Sequence, residues 1–336
     1  MKTLVKIVLV TLFTSSIFSC QNNDDSTTPE KPRPYAEVYV EDTLKIREFM
    51  ESHYVTVDAD YNTTFTQIPV GGSQTPISEL PNLEHIERDI HDITYKIYYL
   101  KLREGTGEAT TPVDSTFVSY KGNTFTKTTT NNVDTYSQSV FDQSQTPVWF
   151  TLEDVIRGWG EVIPQFKTGT YSANPDGTVS FQNYGVGVMF LPSGLGYYNS
   201  STTSISAYSP LIFNFKLYNQ RSRDHDRDGI LSRIEYGPDF NADALDTDGD
   251  KLRDYRDVDD DGDGVLTIVE TKKPLPLSSG QGTSLYYPYN PILDNPSTPT
   301  NESEPKGIPS ASGDGVTPSR LRRHLDKNSK PPFIVY

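Results

Sequence analysis

Hydrophobic and polar residues alternate in two ways along the chain, and the two patterns predict different elements. Apolar residues between positions 40 and 54 recur every three to four residues, which predicts a helix. From Ile93 onward the pattern predicts strands over 93–102, 113–120, 178–181, 187–191 and 211–217. A helix is predicted over 152–162, and the Thr- and Asn-rich stretch beginning at Phe125 is predicted to be a loop.

This order of elements predicts an α+β domain in which a sheet packs on one short central helix. The sheet region spans residues 93–220. The segment before it, residues 35–92, is predicted to be partly helical and partly irregular, and it either forms a separate subdomain or extends the sheet. An acidic segment (221–273) and a tail rich in Pro and Ser (274–336) follow the sheet region.

Composition changes this picture mainly through charge. The 336 residues carry a formal net charge of −15, and 34% of them are hydrophobic, with 21 Tyr and 15 Phe. Between Asp224 and Glu270 sixteen acidic residues outnumber five basic ones, so this segment holds most of the net charge. Because nucleic-acid-binding proteins carry a basic footprint, we expect no nucleic acid among the partners.

The first twenty residues resemble the leader of a bacterial lipoprotein. Lys2 and Lys6 precede a short apolar run, and Ile17–Cys20 resembles a lipobox, in which the cysteine is lipidated and becomes the new N-terminus. Residues 1–19 are therefore predicted to be a signal peptide, and residues 20–34 a lipidated flexible tether. The sequence thus predicts an outer-membrane lipoprotein anchored through Cys20.

The residues around Cys20 bear on location and chemistry. Asp24 and Asp25 follow it closely, which resembles the surface-export signal of Bacteroidetes lipoproteins, so the protein is expected to be either periplasmic or surface-exposed. Cys20 is the only cysteine in the sequence. Disulfides, cysteine–zinc sites and cysteine nucleophiles are therefore excluded.

Five motifs stand in the order that is found in one enzyme family. They are Val118–Gly122 (VSYKG), Val140–Ser144 (VFDQS), Val155–Trp159 (VIRGW), Leu191–Tyr197 (LPSGLGY) and Ser209–Phe215 (SPLIFNF). Together they resemble peptidyl-prolyl cis–trans isomerases of the FK506-binding-protein type. The resemblance implies an antiparallel sheet wrapped on one short central helix.

The same resemblance assigns the residues of a proline pocket. Trp159 would form the floor, the Asp142 carboxylate would lie beside the twisting carbonyl, and the Ile156 N–H would hold the substrate carbonyl after proline. The walls would come from Tyr120, Phe141, Val155, Ile156, Tyr197 and Phe213. An apolar pocket suits the reaction because removing water disfavours the planar, polar ground state of the amide. No nucleophile and no cofactor would be needed for catalysis.

The chain also departs from the family pattern. Tyr198 stands where a glycine is usual, and a tyrosine adopts positive φ angles less readily. Either Val148 or Trp149 is expected in a slot that faces the pocket. A second hypothesis therefore stays open, in which the fold is a catalytically weak surface binding or adhesion module stabilised by calcium. A pocket filled by Tyr198, Trp149 or residues 123–139 would favour that hypothesis.

The acidic segment matches the calcium-loop pattern D-x-D-x-D-G-x5-E twice, from Asp224 to Glu235 and from Asp259 to Glu270. Ca²⁺ takes six to eight oxygen ligands, which carboxylates at positions 1, 3, 5 and 12 and the carbonyl at position 7 can supply. The expected ligands are Asp224, Asp226, Asp228, Ile230 and Glu235 in one loop, and Asp259, Asp261, Asp263, Val265 and Glu270 in the other.

A weaker copy of the pattern lies between the two full matches. Lys251 stands where glycine is expected, and the expected ligands are Asp246, Asp248, Asp250 and Asp257. The whole run resembles thrombospondin type 3 repeats, which implies a small module with little regular structure and a structural role for Ca²⁺. A dockerin-like pair of loops is the alternative.

Together these observations predict an isomerase of X-Pro bonds that acts on proteins of the cell envelope. Its partners would be proline-containing client proteins or peptides, and the membrane through the lipid anchor. The oligomeric state stays open.

Overall fold

The computed structural model describes residues 31–240, 242–275, 284–296 and 303–334. The predicted signal peptide, Cys20 and most of the predicted tether therefore lie outside the described residues. From Pro34 onward the chain forms one unit. Within the described residues no helix is both long and apolar enough to cross a membrane.

Four α-helices and ten strands make up the regular structure of the described residues. The helices are α1 Tyr35–Ser52, α2 Arg157–Val162, α3 Ser232–Glu235 and α4 Thr267–Glu270. The strands are β1 His53–Val57, β2 Thr63–Gln67, β3 Leu83–Ile90, β4 Ile93–Arg103, β5 Ser115–Thr130, β6 Val133–Thr151, β7 Thr170–Ala173, β8 Val179–Gln182, β9 Gly185–Leu191 and β10 Leu211–Arg221.

The main sheet has six strands in the order β3-β4-β9-β10-β5-β6, and every neighbouring pair is antiparallel. The prediction of an antiparallel sheet is thus confirmed. β3 is its edge strand, paired with β4 from Leu83 opposite Leu100 to Ile90 opposite Ile93. Because β3 precedes residue 93, the N-terminal segment extends the sheet.

The sheet separates two hydrophobic cores. One core lies on the side of α2 and contains Trp159, Phe166 and Phe215. The other lies on the side of α1 and contains Phe49 and Phe190. The prediction of one helix on the sheet is therefore incomplete, because a second and longer helix covers the opposite face.

α1 begins after Pro34, whose φ of −58° is compatible with the helix that follows, and ends before the extended residue His53. Its buried face includes Val38, Ile46 and Phe49. The predicted range of 40–54 misses the first turn and runs two residues too far. Tyr54 lies in β1, because the chain turns there to pair with β2.

The predicted loop from Phe125 is wrong, because these residues form the long antiparallel hairpin of β5 and β6. Asn131 and Asn132 form its turn with φ angles of 51° and 62°. Two consecutive positive φ values match the tight hairpin turn in which Asn is favoured. Phe125 is buried, with its ring centroid 4.6 Å from that of Phe49 in α1. Packing on α1 thus favours an extended strand over a loop.

The predicted helix over 152–162 is shorter in the structure. β6 continues to Thr151, and α2 begins only at Arg157. Ile156 precedes it with an extended ψ of 142°, so residues 152–156 form a connection that turns the chain from the sheet edge into the helix. Ile163–Gln165 then form a single 3₁₀ turn.

The acidic segment contains short helical turns and packs against the tail. Ile230, Tyr287 and Ile308 form a small core between them. The Arg323 guanidinium donates hydrogen bonds to the carbonyls of Glu270 and Lys272. The tail therefore wraps the acidic segment through both apolar and basic side chains.

Candidate active site and acidic loops

Trp159 lies at the centre of the core beside α2 and is 3% exposed. Its ring centroid is 5.5 Å from that of Tyr120, 5.4 Å from that of Phe213 and 5.8 Å from that of Phe150. All three contacts are edge-to-face, the arrangement that aromatic quadrupoles favour. β5, β10, β6 and α2 thus each contribute one ring to a single cluster.

This cluster continues outward into side chains that are only half-buried. The Phe141 ring centroid lies 5.4 Å from that of Phe213 and 6.3 Å from that of Tyr197. Val155 and Ile156, on the connection before α2, pack against the same core. The structure therefore brings the eight residues predicted for the proline pocket to one region, as a cluster around Trp159 in which Asp142 is joined to Tyr120 by a hydrogen bond.

Asp142 is exposed and accepts a hydrogen bond from the Tyr120 hydroxyl, with 2.7 Å between Oη and Oδ2. The β5–β6 register places Asp142 directly opposite Gly122, two residues along β5 from Tyr120. Burial, and then the hydrogen bond to Asp142, raise the pKa of Tyr120. Burial, and then the Asp142 charge, raise the pKa of Tyr197. Both phenols therefore stay protonated at neutral pH and able to donate.

Ile156 offers the backbone donor that the resemblance requires. It stands directly before α2, and its carbonyl accepts from the Trp159 N–H at 3.0 Å. Among the described residues no backbone carbonyl accepts from the Ile156 N–H. The Ile156 N–H therefore lies at the start of a helical turn, where backbone donors lack partners within the helix.

The loop that carries Tyr197 is held by α1. Asp42, fully buried in α1, accepts hydrogen bonds from the Ser193 N–H at 2.7 Å and the Ser193 hydroxyl at 2.6 Å. Burial raises the pKa of Asp42, and the two hydrogen bonds from Ser193 oppose that shift. Sequence reasoning missed this residue, although an acid within the apolar face of a helix is a signal that it has a partner.

Tyr198 adopts a left-handed conformation with φ of 51°, so a tyrosine takes the backbone conformation expected of the usual glycine. Its ring stacks on that of Tyr35 at 4.1 Å between centroids and lies edge-on to that of Tyr208 at 5.2 Å. These contacts with α1 and with the loop before β10 stabilise the conformation. The Tyr198 side chain therefore packs with Tyr35 and Tyr208, in a cluster separate from the one around Trp159.

Phe150 lies beside Trp159, so the expectation of Trp149 in the slot that faces the pocket is wrong, whereas the expectation of Val148 stays a prediction. Trp149 instead stacks on Phe117 at 5.0 Å, with the Arg221 guanidinium 4.1 Å from its ring centroid. The cause is the strand period of two: Phe150 and Trp149 point to opposite faces of β6. The register of this strand was not readable from the motif alone.

The three acidic loops share one hydrogen-bonding scheme. The N–H at position 6 donates to the aspartate at position 1: Gly229 to Asp224 at 3.2 Å, Lys251 to Asp246 at 3.2 Å and Gly264 to Asp259 at 2.9 Å. The N–H at position 7 donates to the aspartate at position 5, at 2.7 Å in each loop: Ile230 to Asp228, Leu252 to Asp250 and Val265 to Asp263. The middle loop thus follows the same geometry as the two full matches.

Lys251 stands at the position of the loop glycine and adopts the same left-handed backbone conformation as Gly229 and Gly264. Its φ is 83°, beside 97° for Gly229 and 89° for Gly264. A left-handed lysine carries a steric cost that glycine avoids. The middle loop is therefore the most strained of the three, and its Asp248 and Asp250 are exposed.

The outer loops contain buried carboxylate oxygens without hydrogen-bond partners among the described residues. In the first loop they belong to Asp226, Asp228 and Glu235, and in the third loop to Asp260, Asp261, Asp263 and Glu270. Burial, and then neighbouring carboxylates, raise the pKa of Glu235 to about 11 and the pKa of Glu270 to about 9. Such groups need either protons or a cation, so these residues fit a calcium ion.

Groups of carboxylates within 4.8 Å of one another show which predicted ligands come together. Asp224, Asp226 and Asp228 form one group, Asp246, Asp248 and Asp250 a second, and Asp259, Asp261 and Asp263 a third. Glu235 groups with Asp228 and with Asp260, which the sequence pattern did not single out. Asp257 is buried, and its Oδ1 accepts from the Asp259 N–H at 3.0 Å, so it links the second loop to the third.

The acidic loops contact the segment that leads into the pocket. Glu153 lies two residues before Val155, and its carboxylate contacts His225 Nε2 at 2.6 Å and Arg256 Nη2 at 2.9 Å. His225 belongs to the first loop, and Arg256 to the short 3₁₀ turn near the end of the second loop. Glu153 thus joins the sheet domain to the acidic loops beside the candidate site.

Comparisons with known proteins address the two parts of the chain separately. A family model described as the C-terminal part of BamM matches residues 225–300, which include the acidic loops. No curated protein matches the chain.

Similar solved structures include a peptidyl-prolyl cis–trans isomerase from Pseudomonas syringae pv. tomato, 17% identical with a TM-score of 0.33, covering 56% of this chain and 96% of that one. FkpA from Escherichia coli is 19% identical with a TM-score of 0.33, covering 55% of this chain and 62% of its own. The three FKBP domains of wheat FKBP73 are 17% identical with a TM-score of 0.29, covering 41% and 51%. Such low identities and TM-scores leave the function to be argued from the site itself.

Proposed function

We propose that the protein is a peptidyl-prolyl cis–trans isomerase of the FK506-binding-protein type that acts on X-Pro bonds in polypeptides of the cell envelope. The observation that supports the proposal is the aromatic cluster around Trp159, which brings the half-buried Phe141 and Tyr197, the Asp142–Tyr120 pair and Ile156 together. Covalent chemistry is not required, because only rotation about the amide has to be accelerated.

The residues divide the work as follows. A proline ring enters the half-buried apolar surface and leaves water behind, which disfavours the planar amide. The Ile156 N–H binds the carbonyl after proline and holds the chain while the preceding bond turns. The Asp142 carboxylate, oriented by the Tyr120 hydroxyl at 2.7 Å, lies beside the carbonyl that rotates. Interactions of this kind accelerate rotation only when they are stronger in the twisted state.

The positions of the three proposed pocket fillers favour the enzyme over the binding module. Tyr198 packs with Tyr35, and Trp149 packs with Phe117. The hairpin that contains residues 123–139 packs through Phe125 on α1. The ring contacts of Trp159 are with other side chains, namely Tyr120, Phe150, Phe213 and Phe215. The alternative hypothesis, a catalytically weak binding module, is tested by the experiment below.

Calcium is proposed as a structural ion of the acidic loops, with no part in the isomerisation. Asp226, Asp228 and Glu235 would hold it in the first loop, and Asp261, Asp263 and Glu270 in the third, because their buried oxygens lack other partners among the described residues. Bound Ca²⁺ would neutralise charges that otherwise repel one another.

An outer-membrane location through lipidated Cys20 is likewise proposed. Its support is the lipobox-like sequence Ile17–Cys20. Labelled palmitate should be incorporated into the wild-type protein and not into Cys20→Ser. Labelling that persists in this variant would contradict lipidation at Cys20.

The test of the enzyme is cis–trans exchange of an X-Pro peptide in the presence of the purified protein. Acceleration is expected, and Asp142→Asn and Tyr120→Phe should each lower kcat/KM by roughly tenfold or more, because each disturbs the group beside the rotating carbonyl. Asp176→Asn is the control, since Asp176 is an exposed carboxylate in the turn between β7 and β8.

Absence of acceleration by a folded wild-type protein would overturn the enzymatic proposal. Peptide binding measured by fluorescence anisotropy in that case would support the binding module. Equal activity in Asp142→Asn and Asp176→Asn would instead remove Asp142 from the proposed mechanism.

A further inference from the structure

Position 2 of each acidic loop is held in the same way. Its N–H donates to the side-chain oxygen at position 9: His225 to Ser232 at 3.1 Å, Thr247 to Asp254 at 2.7 Å and Asp260 to Thr267 at 3.2 Å. Positions 1, 3 and 5 point into the loop, so the residue between positions 1 and 3 points away from it. Position 2 is therefore available to contact structures outside its own loop.

Two of these residues reach important neighbours. His225 contacts Glu153 in the sheet domain. Asp260, at position 2 of the third loop, places a carboxylate oxygen within 4.8 Å of those of Asp228 and Glu235 in the first loop. Asp260 thus joins the acidic cluster of a loop that begins 36 residues earlier in the sequence.

Burial and hydrogen bonding distinguish this cluster from an ordinary group of surface acids. Asp260 is 2% exposed and Glu235 is 5% exposed. Both carboxylate oxygens of each residue, and one oxygen of Asp228, are buried without a hydrogen-bond partner among the described residues. Unpartnered buried carboxylates at this separation repel one another strongly, and a shared cation removes that cost.

We infer that Asp260 is a ligand of the calcium ion in the first loop, which is thereby a composite site formed by Asp228 and Glu235 of one loop and Asp260 of another. The inference rests on the proposed calcium binding and adds a ligand that the loop pattern does not contain. Asp260 supplies a full negative charge, and ligand charge is one of the properties that set calcium affinity.

This arrangement links the two loops. Asp259 and Asp261 flank Asp260, so a calcium ion held by them in the third loop fixes the backbone on both sides of it. Asp260 then no longer has to be ordered when calcium binds the first loop. Occupancy of the third loop therefore raises the affinity of the first, and by reciprocity the first raises the affinity of the third.

The experiment is calorimetric titration of the full-length, calcium-free protein with CaCl₂. Asp260→Asn and Glu235→Gln should each weaken or abolish the same binding event, by at least roughly tenfold in affinity. The double variant should bind as many calcium ions as either single variant. Asp243→Asn is the matched control, because this carboxylate lies in the same segment, outside the loops, with its side chain 90% exposed.

Thermal unfolding separates a ligand from a structural acid. Asp260→Asn should leave the Tm in EDTA unchanged or raise it, because it removes repulsion within the cluster, and it should reduce the rise in Tm on adding CaCl₂. A residue that only supports the fold would lower both values.

The outcomes distinguish this inference from the proposal beneath it. If Asp260→Asn binds calcium like Asp243→Asn, or if it is non-additive with Glu270→Gln and additive with Glu235→Gln, Asp260 is not a ligand of the first loop. In either case calcium binding by the loops would stand. No calcium binding by the wild-type protein would overturn both.

Discussion

Side-chain size at single positions shapes the candidate pocket. Gly122 lies in β5 where two rings of the pocket converge: a Cβ atom there would lie 2.7 Å from both Phe141 Cζ and Phe213 Cε1. Carbon atoms normally stay about 3.5–4.0 Å apart, so even a methyl group would push these rings. Phe141 and Phe213 can therefore keep their positions only because residue 122 has no side chain.

Gly122→Ala is predicted to lower kcat/KM for X-Pro isomerisation by roughly tenfold or more and to destabilise the fold by about 1–3 kcal/mol, because Phe141 and Phe213 must move. The peptide exchange assay and urea unfolding measure the two effects. Gly160→Ala is the control: its Cβ would lie 3.7 Å from the nearest atom, and alanine suits the interior of α2. Wild-type activity in Gly122→Ala would contradict the proposed position of the pocket.

His53 gives the stability of the fold a dependence on pH. It is buried at the end of α1, stacked on Phe49 at 4.0 Å between ring centroids, and burial lowers its pKa below 6.5. As the pH falls below 6.5, the unfolded chain takes up a proton more readily than the folded protein does. The contribution of His53 is therefore present above pH 6.5 and lost as the pH falls towards the folded pKa.

His53→Gln is predicted to lose less stability on acidification than the wild type, although it is less stable at neutral pH. Urea unfolding of both proteins at about pH 7.5 and about pH 5.5 gives the comparison. Other histidines and acids contribute equally to both proteins. An equal loss in both would contradict the lowered pKa of His53 in the folded protein.

At the scale of elements, α1 holds one loop of the candidate site in place. Asp42 accepts both hydrogen bonds from Ser193, four residues before Tyr197. The stacking of Tyr35 on Tyr198 adds a second contact between α1 and this loop. The N-terminal segment does not line the pocket. It contributes to the pocket indirectly, because it orders the loop that carries Tyr197.

Asp42→Ala is predicted to destabilise the protein by about 1–3 kcal/mol, since it leaves the buried Ser193 N–H unsatisfied. It should also raise KM more than it lowers kcat, because the loop carrying Tyr197 is less ordered before the substrate binds. Ser193→Ala completes a double-mutant cycle that isolates the interaction. Strictly additive effects of the two substitutions would rule out this coupling.

At the scale of the whole molecule, Glu153 connects the acidic loops to the pocket. It contacts His225 and Arg256 on one side and lies two residues before Val155 on the other. Asp260 continues the connection from the first loop to the third. If calcium orders the loops, it would therefore also order the chain segment that leads from Glu153 to Trp159.

Removal of calcium with EDTA is predicted to lower the Tm and to shift the emission of Trp159, measured in a Trp149→Phe background so that only one tryptophan contributes. The shift should be smaller in Glu153→Gln, which weakens the contact with His225 and Arg256. Glu104→Gln is the control, because its partner Lys167 lies outside the acidic loops. The same shift in all three proteins would mean that the coupling does not run through Glu153, and no shift in any of them would mean that the loops and the pocket are independent.

The sequence by itself determined the features that depend on neighbouring residues. The alternation of apolar residues predicted strand β4, and short apolar runs predicted β9 and β10, because a central strand between two cores is buried on both faces. Five short motifs placed Trp159, Asp142 and the other pocket residues in order. The aspartate spacing predicted the loops for the same reason, since a tight loop positions its own residues.

Only the tertiary structure decided the features that depend on distant residues. A Thr- and Asn-rich hairpin became ordered because Phe125 packs on Phe49 in α1, and the β5–β6 register directs Phe150 rather than Trp149 to Trp159. The partnership of Asp42 with Ser193 joins residues 151 positions apart, and the approach of Asp260 to Glu235 joins two loops. Contacts of this kind arise from packing between elements, which no local pattern of residues records.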